Sequence, residues 1–416
     1  MKDGPIKVIF ATGQGRLHFF ETASSVRQAG CDVEVITGWV PDKTDGLFVR
    51  IISRIVGRNV GPGLRMRRPV DRQIKVDACA FPEFLDQFRR LLCRVFGISQ
   101  YCLATASVSF LGWWSKRYIR NAQIFHIRTS AGQGGAICRA HELGMKVVAD
   151  QSALHPRVTY ELLKDEYARW NKEVGISPDR GVWVNVEKDC READMILVNA
   201  DHIKDSYVQQ GYSPEKIRVA YLGVREDFFG LKKDYSFSGK LRILYTGGFT
   251  LLKGAEYFLM AMATLKRLGV DYECTVIGSS DEVRELRVKY CDLPIRYIGP
   301  IPQDELKRYL SDADIYLFPS LADGCAKSAV EAMAAGLCLV ATRTSGAPMK
   351  DGETAYVVPA KNANAIVARI QYLNENRQEI ERVGRAAAAY AKTNLTWKAY
   401  GEKVRRIYEE LLAEQH

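Results

Sequence analysis

Short apolar runs alternate with helical segments along the first half of the chain. The first repeat has an apolar run at 6–12, a glycine turn at 13–15, a helical stretch ending near Gln28 and a second apolar run at 32–37. Further runs of strand length follow at 124–128, 146–150 and 195–199. Strands that are separated by helices predict a parallel sheet covered on both faces.

The same alternation begins again in the second half. An apolar run at 241–246 ends in two glycines and leads through a helical segment at 255–268 to the next run at 272–277. Four more runs follow, at 295–298, 315–318, 338–342 and 355–358. The sequence therefore predicts an α/β protein with two Rossmann-like, doubly wound domains. Because ligands of such sheets bind at the carboxyl ends of the strands, we expect a binding cleft between the two domains.

The domain boundaries follow from this restart. A length of 416 residues is enough for two domains. The polar stretch 225–240 is interpreted as the linker between them, because it is rich in Lys, Asp, Ser and Gly. We predict a first domain at 1–224 with a basic amphipathic insertion at 50–120, a second domain at 225–395, and a C-terminal helix at 396–416 that braces the two.

Positive charge is concentrated in and just after the predicted insertion. Segment 50–141 carries 16 basic and 4 acidic residues, while the whole chain has a net charge of +10. Apolar side chains recur there at helical spacing beside three arginines, namely Phe84, Phe88, Leu91, Leu92 and Val95 beside Arg89, Arg90 and Arg94. With Trp113 and Trp114 close by, this pattern predicts contact with an anionic membrane surface through 84–120. The alternative is that the apolar stripe packs on the sheet and the arginines face water.

Two observations concern the compartment. The first apolar run is too short for a signal peptide, and the ten cysteines show no C-x-x-C pair and no metal spacing with histidine. Segment 95–115 is uncharged and long enough to span a bilayer, but its serines, threonine and glutamine dilute it. We predict a cytoplasmic protein, peripheral on the inner face of the membrane, with reduced thiols and no metal site.

Two other functions are disfavoured. A nucleic-acid-binding protein could place arginines on phosphates, using Arg50, Arg54, Arg58, Arg65, Arg67, Arg68 and Arg72. The chain has no recognised readout motif, so no nucleic-acid partner is predicted. A dinucleotide-dependent oxidoreductase would need a third glycine in its G-x-G-x-x-G fingerprint, where this chain has His18.

The second half carries two motifs with candidate chemistry. At 247–254 a strand ends in a glycine loop, and Lys253 stands just before a helix, which suits a diphosphate leaving group. The alternative is a plain turn with a solvated lysine. Asp323 and Glu331, eight residues apart, could accept hydrogen bonds from sugar or ribose hydroxyls if both point into one pocket. Alternatively, Ser328 and Glu331 form a capping box at a helix start.

In their order along the chain, these motifs resemble the GT-B glycosyltransferases of family 4, retaining enzymes that use nucleotide-sugar donors. The matching segments are the loop 247–254, Ile298-Gly-Pro-Ile-Pro, 311–320, Asp323 to Gly336, Ser345-Gly-Ala and Asp351-Gly. The resemblance is strong over 240–373 and looser in the first half. It implies a GT-B fold and transfer of a hexosyl group with retention of configuration, without a cofactor or metal. The implied acceptor is a glycan, either lipid-linked or a cell-surface polysaccharide.

The resemblance also implies residue roles. The implied catalytic residues are His155, Asp323 and Lys253. The implied donor-binding residues are Gly13, Gly15, Gly247, Gly248, Lys253, Gly278, Ile298, Asp323, Gly324, Cys325, Ala326 and Glu331. Among them Lys253 would contact the diphosphate, Glu331 the ribose, and Asp323 with the amides that follow it the transferred sugar. For His155 the alternative is an ordinary surface-loop histidine.

Three positions depart from the family pattern. Gly248 stands where the family usually has arginine, Asp323 replaces a glutamate, and Ala326 replaces a glycine. Lys253 is then the only matched cation for the leaving group. A nucleotide-sugar-binding protein with weakened catalysis is therefore the alternative function.

Overall fold

Two parallel sheets form the framework of the protein. The structure, a computed structural model, describes residues 4–13, 18–40, 50, 54, 71–98, 103–236 and 239–414. The first sheet has seven strands in the order β3-β2-β1-β4-β5-β6-β7, and the second has six in the order β10-β9-β8-β11-β12-β13. The prediction of two doubly wound α/β units is confirmed.

The first sheet consists of β1 (Lys7–Ala11), β2 (Asp32–Thr37), β3 (Lys75–Ala78), β4 (Ile124–Arg128), β5 (Lys146–Gln151), β6 (Met195–Val198) and β7 (Ile217–Val219). Its helices are α1 (Phe19–Gln28), α2 (Ala80–Val95), α3 (Ala104–Ser115), α4 (Ala136–Glu142), α5 (Pro156–Ala168), α6 (Val182–Glu192) and α7 (Asp201–Val208). The central strand β1 pairs in parallel with β2 and β4, with Val8 opposite Val33 and Ile124. The apolar runs that predicted strands occupy the middle of this sheet.

The second sheet consists of β8 (Leu241–Thr246), β9 (Tyr272–Ile277), β10 (Ile295–Ile298), β11 (Ile315–Phe318), β12 (Cys338–Thr342) and β13 (Tyr356–Val358). Its helices are α8 (Ala255–Arg267), α9 (Arg284–Lys289), α10 (Gln303–Asp312), α11 (Lys327–Ala335), α12 (Ala363–Glu375) and α13 (Arg377–Asn394). Strands β8, β11 and β12 are almost fully buried, as expected for a parallel sheet with helices on both faces.

Each sheet has one point where the strand order reverses. In the first sheet the reversal lies between β1 and β4, and in the second it lies between β8 and β11. Loops that leave neighbouring strands at such a point diverge and open a crevice, which is where ligands of open α/β sheets bind. The two reversal points are therefore the positions at which to look for sites.

The last helix, α14 (Trp397–Ala413), returns to the first sheet. It packs so closely on α1 that a Cβ on Gly401 would lie 2.2 Å from the Ser25 carbonyl oxygen. Its Tyr408 hydroxyl lies 2.5 Å from Nδ1 of His126 in β4. Because α14 follows directly on the second unit, these contacts tie the end of the chain to the first sheet.

The predicted linker, 225–240, includes side chains that are buried in the second unit. Phe228 is fully buried, and Lys232 is 4% exposed. The Lys232 ammonium lies 3.3 Å from a carboxylate oxygen of Asp314, which also accepts hydrogen bonds from Arg242. Lys232 is thus paired within the second unit, while other polar residues of the segment, such as Lys233 and Asp234, are exposed.

Helix α2 presents its apolar side chains to solvent. Its buried residues include Glu83, Asp86 and Cys93, whereas Phe88 is 58% exposed and Val95 is 68% exposed. The alternative in which the apolar stripe packs on the sheet is therefore wrong. Within the described residues, none of the helices is both long enough and apolar enough to cross a membrane.

Candidate active site

The loops that follow β8 and β11 meet at the reversal point of the second sheet. Gly254 caps α8 with a φ of +78°, and a Cβ there would lie 2.0 Å from the Pro319 carbonyl oxygen. The Leu321 N–H donates to the Leu252 carbonyl at 2.9 Å. Only glycine fits such a close approach. Gly254 therefore allows the loop that carries Lys253 to lie beside the loop that follows β11.

Lys253 and Asp323 form an ion pair at this junction. The ammonium also lies 5.6 Å from the centre of the Phe318 ring. The other carboxylate oxygen of Asp323 accepts a hydrogen bond from the Gly324 N–H at 2.8 Å. The structure therefore brings together two of the three residues that were predicted to be catalytic.

The Asp323 loop also touches the first unit. His202 of α7 donates from Nε2 to the Asp323 carbonyl oxygen at 2.6 Å, which fixes the proton on that nitrogen. A Cβ on Gly324 would lie 2.1 Å from the Ser152 carbonyl oxygen, beyond the end of β5. The site is thus at the boundary between the two sheets. His202 was missed from the sequence, because nothing local indicates a partner 121 residues away.

Glu331 lies in α11 and lines a narrow pocket together with Arg225, Lys327 and Cys325. The helix begins at Lys327 with Ala326 as its N-cap, and no side chain caps it, so the capping-box interpretation is wrong. Burial raises the pKa of Glu331 to about 7. Lys253 and Asp323 are not among the residues that line this pocket.

The remaining donor-binding candidates of the second sheet lie at its carboxyl edge. The Gly278 N–H donates to the Ile298 carbonyl at 2.8 Å, and a Cβ on Gly278 would lie 2.1 Å from the Gly247 carbonyl oxygen. By contrast, the nearest atom to a Cβ on Gly248 is a Thr250 methyl carbon at 3.8 Å. The structure thus brings Gly247, Gly278 and Ile298 together and leaves open space beside Gly248.

The amides after Asp323 are partly occupied. The Ala326 N–H donates to the Ser345 carbonyl at 3.1 Å. Cys325 is buried, and burial raises the pKa of its thiol to about 12. Of the predicted sugar-binding amides, those of Gly324 and Ala326 therefore already have partners within the protein.

His155 is a helix cap and not a group facing a cleft. It is the N-cap of α5, where its Nδ1 accepts from the Arg157 N–H at 3.3 Å, and it is 1% exposed. Its ring is enclosed by Tyr207 and Tyr212, and burial lowers its pKa to about 4. The surface-loop alternative is therefore wrong, and the catalytic role that the resemblance implies for His155 stays a prediction.

The first sheet has polar groups at its own carboxyl edge that the sequence did not single out. His18 and His126 approach the same Asp150 carboxylate oxygen, at 3.7 and 3.4 Å. Burial works to raise the pKa of Asp150, but hydrogen bonds from the two histidines hold it well below its usual range. Gly13 lies at the same edge, after β1. The predicted Gly15 lies outside the described residues, as do Arg58, Arg65, Arg67 and Arg68.

The second unit is similar to proteins of known family. Residues 240–376 match the family model for glycosyl transferases group 1. The match lies within the second domain. The amylovoran biosynthesis glycosyltransferase AmsK of Erwinia amylovora is 31% identical over 216 residues, which is 49% of this chain and 53% of AmsK. The MMP alpha-(1->4)-mannosyltransferase of Mycolicibacterium hassiacum is 24% identical over 291 residues, covering 67% and 69% of the two chains.

The chain spans about half the length of the first curated relatives that it matches. Solved structures agree over the whole chain. Sucrose-phosphate synthase of Thermosynechococcus elongatus has a TM-score of 0.65 at 16% identity, covering 98% of this chain and 100% of its own. Anabaena HepE in complex with UDP-glucose has a TM-score of 0.61 at 13% identity, covering 97% and 100%. The fold of the chain is GT-B.

Potential metal ligands do not cluster in the part of the chain that the structure describes. Across the described ranges, no three or more His, Cys, Asp or Glu side chains are grouped so that they could hold a metal ion. At the junction of the two loops, the ammonium of Lys253 is the cation in contact with Asp323.

Proposed function

We propose that the protein is a glycosyltransferase that moves a hexosyl group from a nucleotide sugar to a glycan acceptor. The observation that carries the proposal is the contact between Lys253 and Asp323 at the reversal point of a sheet that lies within the match to the group 1 family model. The family match and the UDP-glucose complex of HepE support a nucleotide-sugar donor. The polysaccharide pathway in the name of AmsK supports a glycan acceptor.

In the proposed reaction the acceptor hydroxyl attacks on the face from which the diphosphate leaves, so configuration is retained. The bond between the anomeric carbon and the diphosphate oxygen breaks, the bond to the acceptor oxygen forms, and the hydroxyl proton passes to the departing phosphate. Lys253 and the N-terminus of α8 offset the charge that builds on the leaving group, so no metal is required. Glu331 would hold the ribose hydroxyls.

We assign donor binding and acceptor binding to different domains. The second, from 225 to 395, binds the donor, and the first, from 1 to 224, binds the acceptor. The unusual orientation of α2 supports attachment of the first domain to the inner face of an anionic membrane. Exposed aromatic and aliphatic side chains would enter the interface there, while Arg94 and Arg117 meet lipid phosphates. A lipid-linked acceptor would then be within reach.

A donor-binding protein with weakened catalysis is the second candidate. Gly248 removes the family's arginine, and the shorter Asp323 is already neutralised by Lys253. Stabilisation of the charge that develops on the leaving group supplies a large part of the rate enhancement in such reactions. This candidate predicts tight nucleotide binding together with little transfer.

Screening a panel of nucleotide sugars by thermal shift identifies the donor, since a ligand of the native state raises the unfolding temperature. Transfer to lipid-linked and soluble glycan acceptors is then measured for the wild type, Lys253→Ala and Glu331→Ala. We expect both variants to fold and to lose transfer by 100-fold or more, on the order of one lost transition-state contact. Full turnover in both variants would refute the proposal.

A further inference from the structure

The first sheet has a cavity at the position that corresponds to the donor loops of the second. Gly13 follows β1 and Arg128 ends β4, the two strands between which the strand order reverses. Both residues line a cavity of about 220 Å³. Because ligands of open α/β sheets bind at such reversal points, this cavity lies where a ligand of the first domain is expected.

Helices α2 and α3 form the outer wall of the cavity. Asp86 of α2 lines it, and its carboxylate accepts hydrogen bonds from Arg89, Arg90 and Ser107 at 2.8, 2.7 and 2.7 Å. Burial works to raise the pKa of Asp86, but these bonds outweigh it and bring the pKa to about 2. The charge of Asp86 is thus already balanced by protein groups.

Arg128 differs from Asp86 in this respect. Its side chain is partly buried and lines the cavity, yet its guanidinium has no ion pair or hydrogen bond with any residue in the described ranges. Burial lowers the pKa of Arg128 and the charge of Asp150 raises it, but that carboxylate also lies beside His18 and His126. A partly buried cation without a hydrogen-bonded partner is unfavourable, and a bound oxyanion would relieve this cost.

The charge and the apolar face of α2 lie on opposite sides of one wall. Asp86 and Arg90 face the cavity, whereas Phe88 and Val95 of the same helix are exposed on the outside. A ligand with an apolar part and a phosphate would match both the exposed face of α2 and the cavity. Its apolar part would lie in a bilayer and its phosphate in the cavity. A planar guanidinium binds phosphate through two parallel hydrogen bonds.

We infer that Arg128 binds the phosphate of a lipid-linked acceptor in the cavity between β1, β4, α2 and α3. This inference rests on the proposed function, because it takes the first domain as the acceptor side. It makes Arg128 a determinant of acceptor specificity that is independent of donor binding at Lys253.

Geranyl diphosphate is a suitable soluble probe, with geraniol and inorganic diphosphate as its uncharged and non-lipid counterparts. Calorimetric titration of the full chain should show binding of geranyl diphosphate, weaker binding of inorganic diphosphate and none of geraniol. Arg128→Gln should weaken geranyl diphosphate binding by about tenfold or more, the loss expected for charge-assisted hydrogen bonds. Arg139→Gln is the matched control, since that arginine is exposed and pairs with Glu142, and its affinity should match the wild type.

Three outcomes overturn the inference: no binding of geranyl diphosphate to the wild type, equal binding of geraniol, or unchanged affinity in Arg128→Gln. A nucleoside diphosphate titrated into the same variant should bind as in the wild type. Loss of that binding instead would place Arg128 on the donor and also overturn the inference. Failure of every nucleotide sugar to bind, with geranyl diphosphate still dependent on Arg128, would refute only the proposed function.

Arginine modification of the wild-type protein covers the case in which Arg128→Gln does not fold. Phenylglyoxal adds to accessible guanidinium groups, and peptide mass spectrometry reports each site. Geranyl diphosphate should protect Arg128 and leave Arg139 reactive. Modification of Arg128 at the same rate with and without the probe would contradict the inference.

Discussion

Lys253 and Asp323 form an ion pair between the two loops that leave β8 and β11. The lysine is the expected partner of the donor diphosphate, and the aspartate is the expected partner of the transferred sugar. In this structure the ammonium of Lys253 and the carboxylate of Asp323 contact each other instead. A donor must therefore separate the pair or bind beside it, and part of its binding free energy is used for that step.

Asp323→Asn tests this competition. Removing the carboxylate charge should tighten binding of a nucleoside diphosphate by about two- to fivefold, because a partly exposed ion pair is worth about 0.5–1 kcal/mol. Transfer should fall, because the sugar loses its carboxylate partner. Calorimetric titration with the preferred nucleotide measures the first effect, and a transfer assay measures the second.

Lys253→Met is the matched variant for this comparison. It should weaken nucleoside diphosphate binding, whereas Asp323→Asn should not. If both variants weaken binding equally, Asp323 acts by orienting Lys253, and the idea of competition is wrong.

Gly248→Arg restores the residue that the family usually carries. Gly248 does not have a positive φ, and a Cβ there would meet nothing closer than 3.8 Å, so an arginine fits without backbone strain. A second cation beside the diphosphate should tighten nucleoside diphosphate binding by about three- to tenfold at low salt and raise transfer. The gain should shrink as salt screens the charge.

Gly278→Ala is a control for this substitution. That glycine has a φ of +133°, and a Cβ would lie 2.1 Å from the Gly247 carbonyl oxygen, so this variant should lose stability. A Gly248→Arg variant that binds no better than the wild type at low salt would show that position 248 does not face the diphosphate.

The sequence predicted the central strands well, because a strand buried on both faces is a continuous apolar run. It missed β3 and β7, which are short and carry charge: Lys75 and Asp77 lie in β3, and Arg218 lies in β7. Composition also does not reveal that Lys232, in the predicted linker 225–240, pairs with Asp314.

The candidate site was predictable where motifs are local. Lys253 and Asp323 each stand in a recognisable loop, and the parallel sheet brings such loops together. Arg128, His202 and the cluster around Asp150 depend on contacts between distant segments, so the sequence gives no local sign of them. The surface-loop alternative for His155 was wrong, because a histidine that precedes a proline after a strand fits a helix cap as well as a loop.

Glu331 gives stability a dependence on pH. Burial raises its pKa to about 7 from an ordinary value of 4.5. The folded state therefore holds a proton that the unfolded state has lost between those values, and stability falls as pH rises from about 4.5 to above 7. Glu331→Gln removes this loss and should stabilise the protein at pH 8 by about 1–3 kcal/mol relative to the wild type, with no gain at pH 4.5.

Differential scanning calorimetry of both proteins across this range measures the effect as a shift of several degrees in the unfolding midpoint. Glu353→Gln is the control, because that side chain is 69% exposed and should show no pH-dependent gain. An equal midpoint difference at pH 4.5 and pH 8 would contradict a buried, protonated Glu331.

The exposed face of α2 predicts binding to anionic vesicles. Phe88→Asp and Val95→Asp place a negative charge where an apolar side chain would enter the bilayer. Each should reduce co-sedimentation with phosphatidylcholine–phosphatidylglycerol vesicles by about tenfold or more, since burying such a side chain is worth about 1.5–3 kcal/mol. Val288→Asp is the matched control, because Val288 is 69% exposed but lies in the second domain. This variant should bind vesicles like the wild type.

Binding that falls equally in all three variants would reflect net charge alone. Unchanged binding of Phe88→Asp and Val95→Asp would remove membrane attachment from the proposed function. Because α2 also walls the Arg128 cavity, a loss confined to the α2 variants would connect membrane attachment with the acceptor side of the protein.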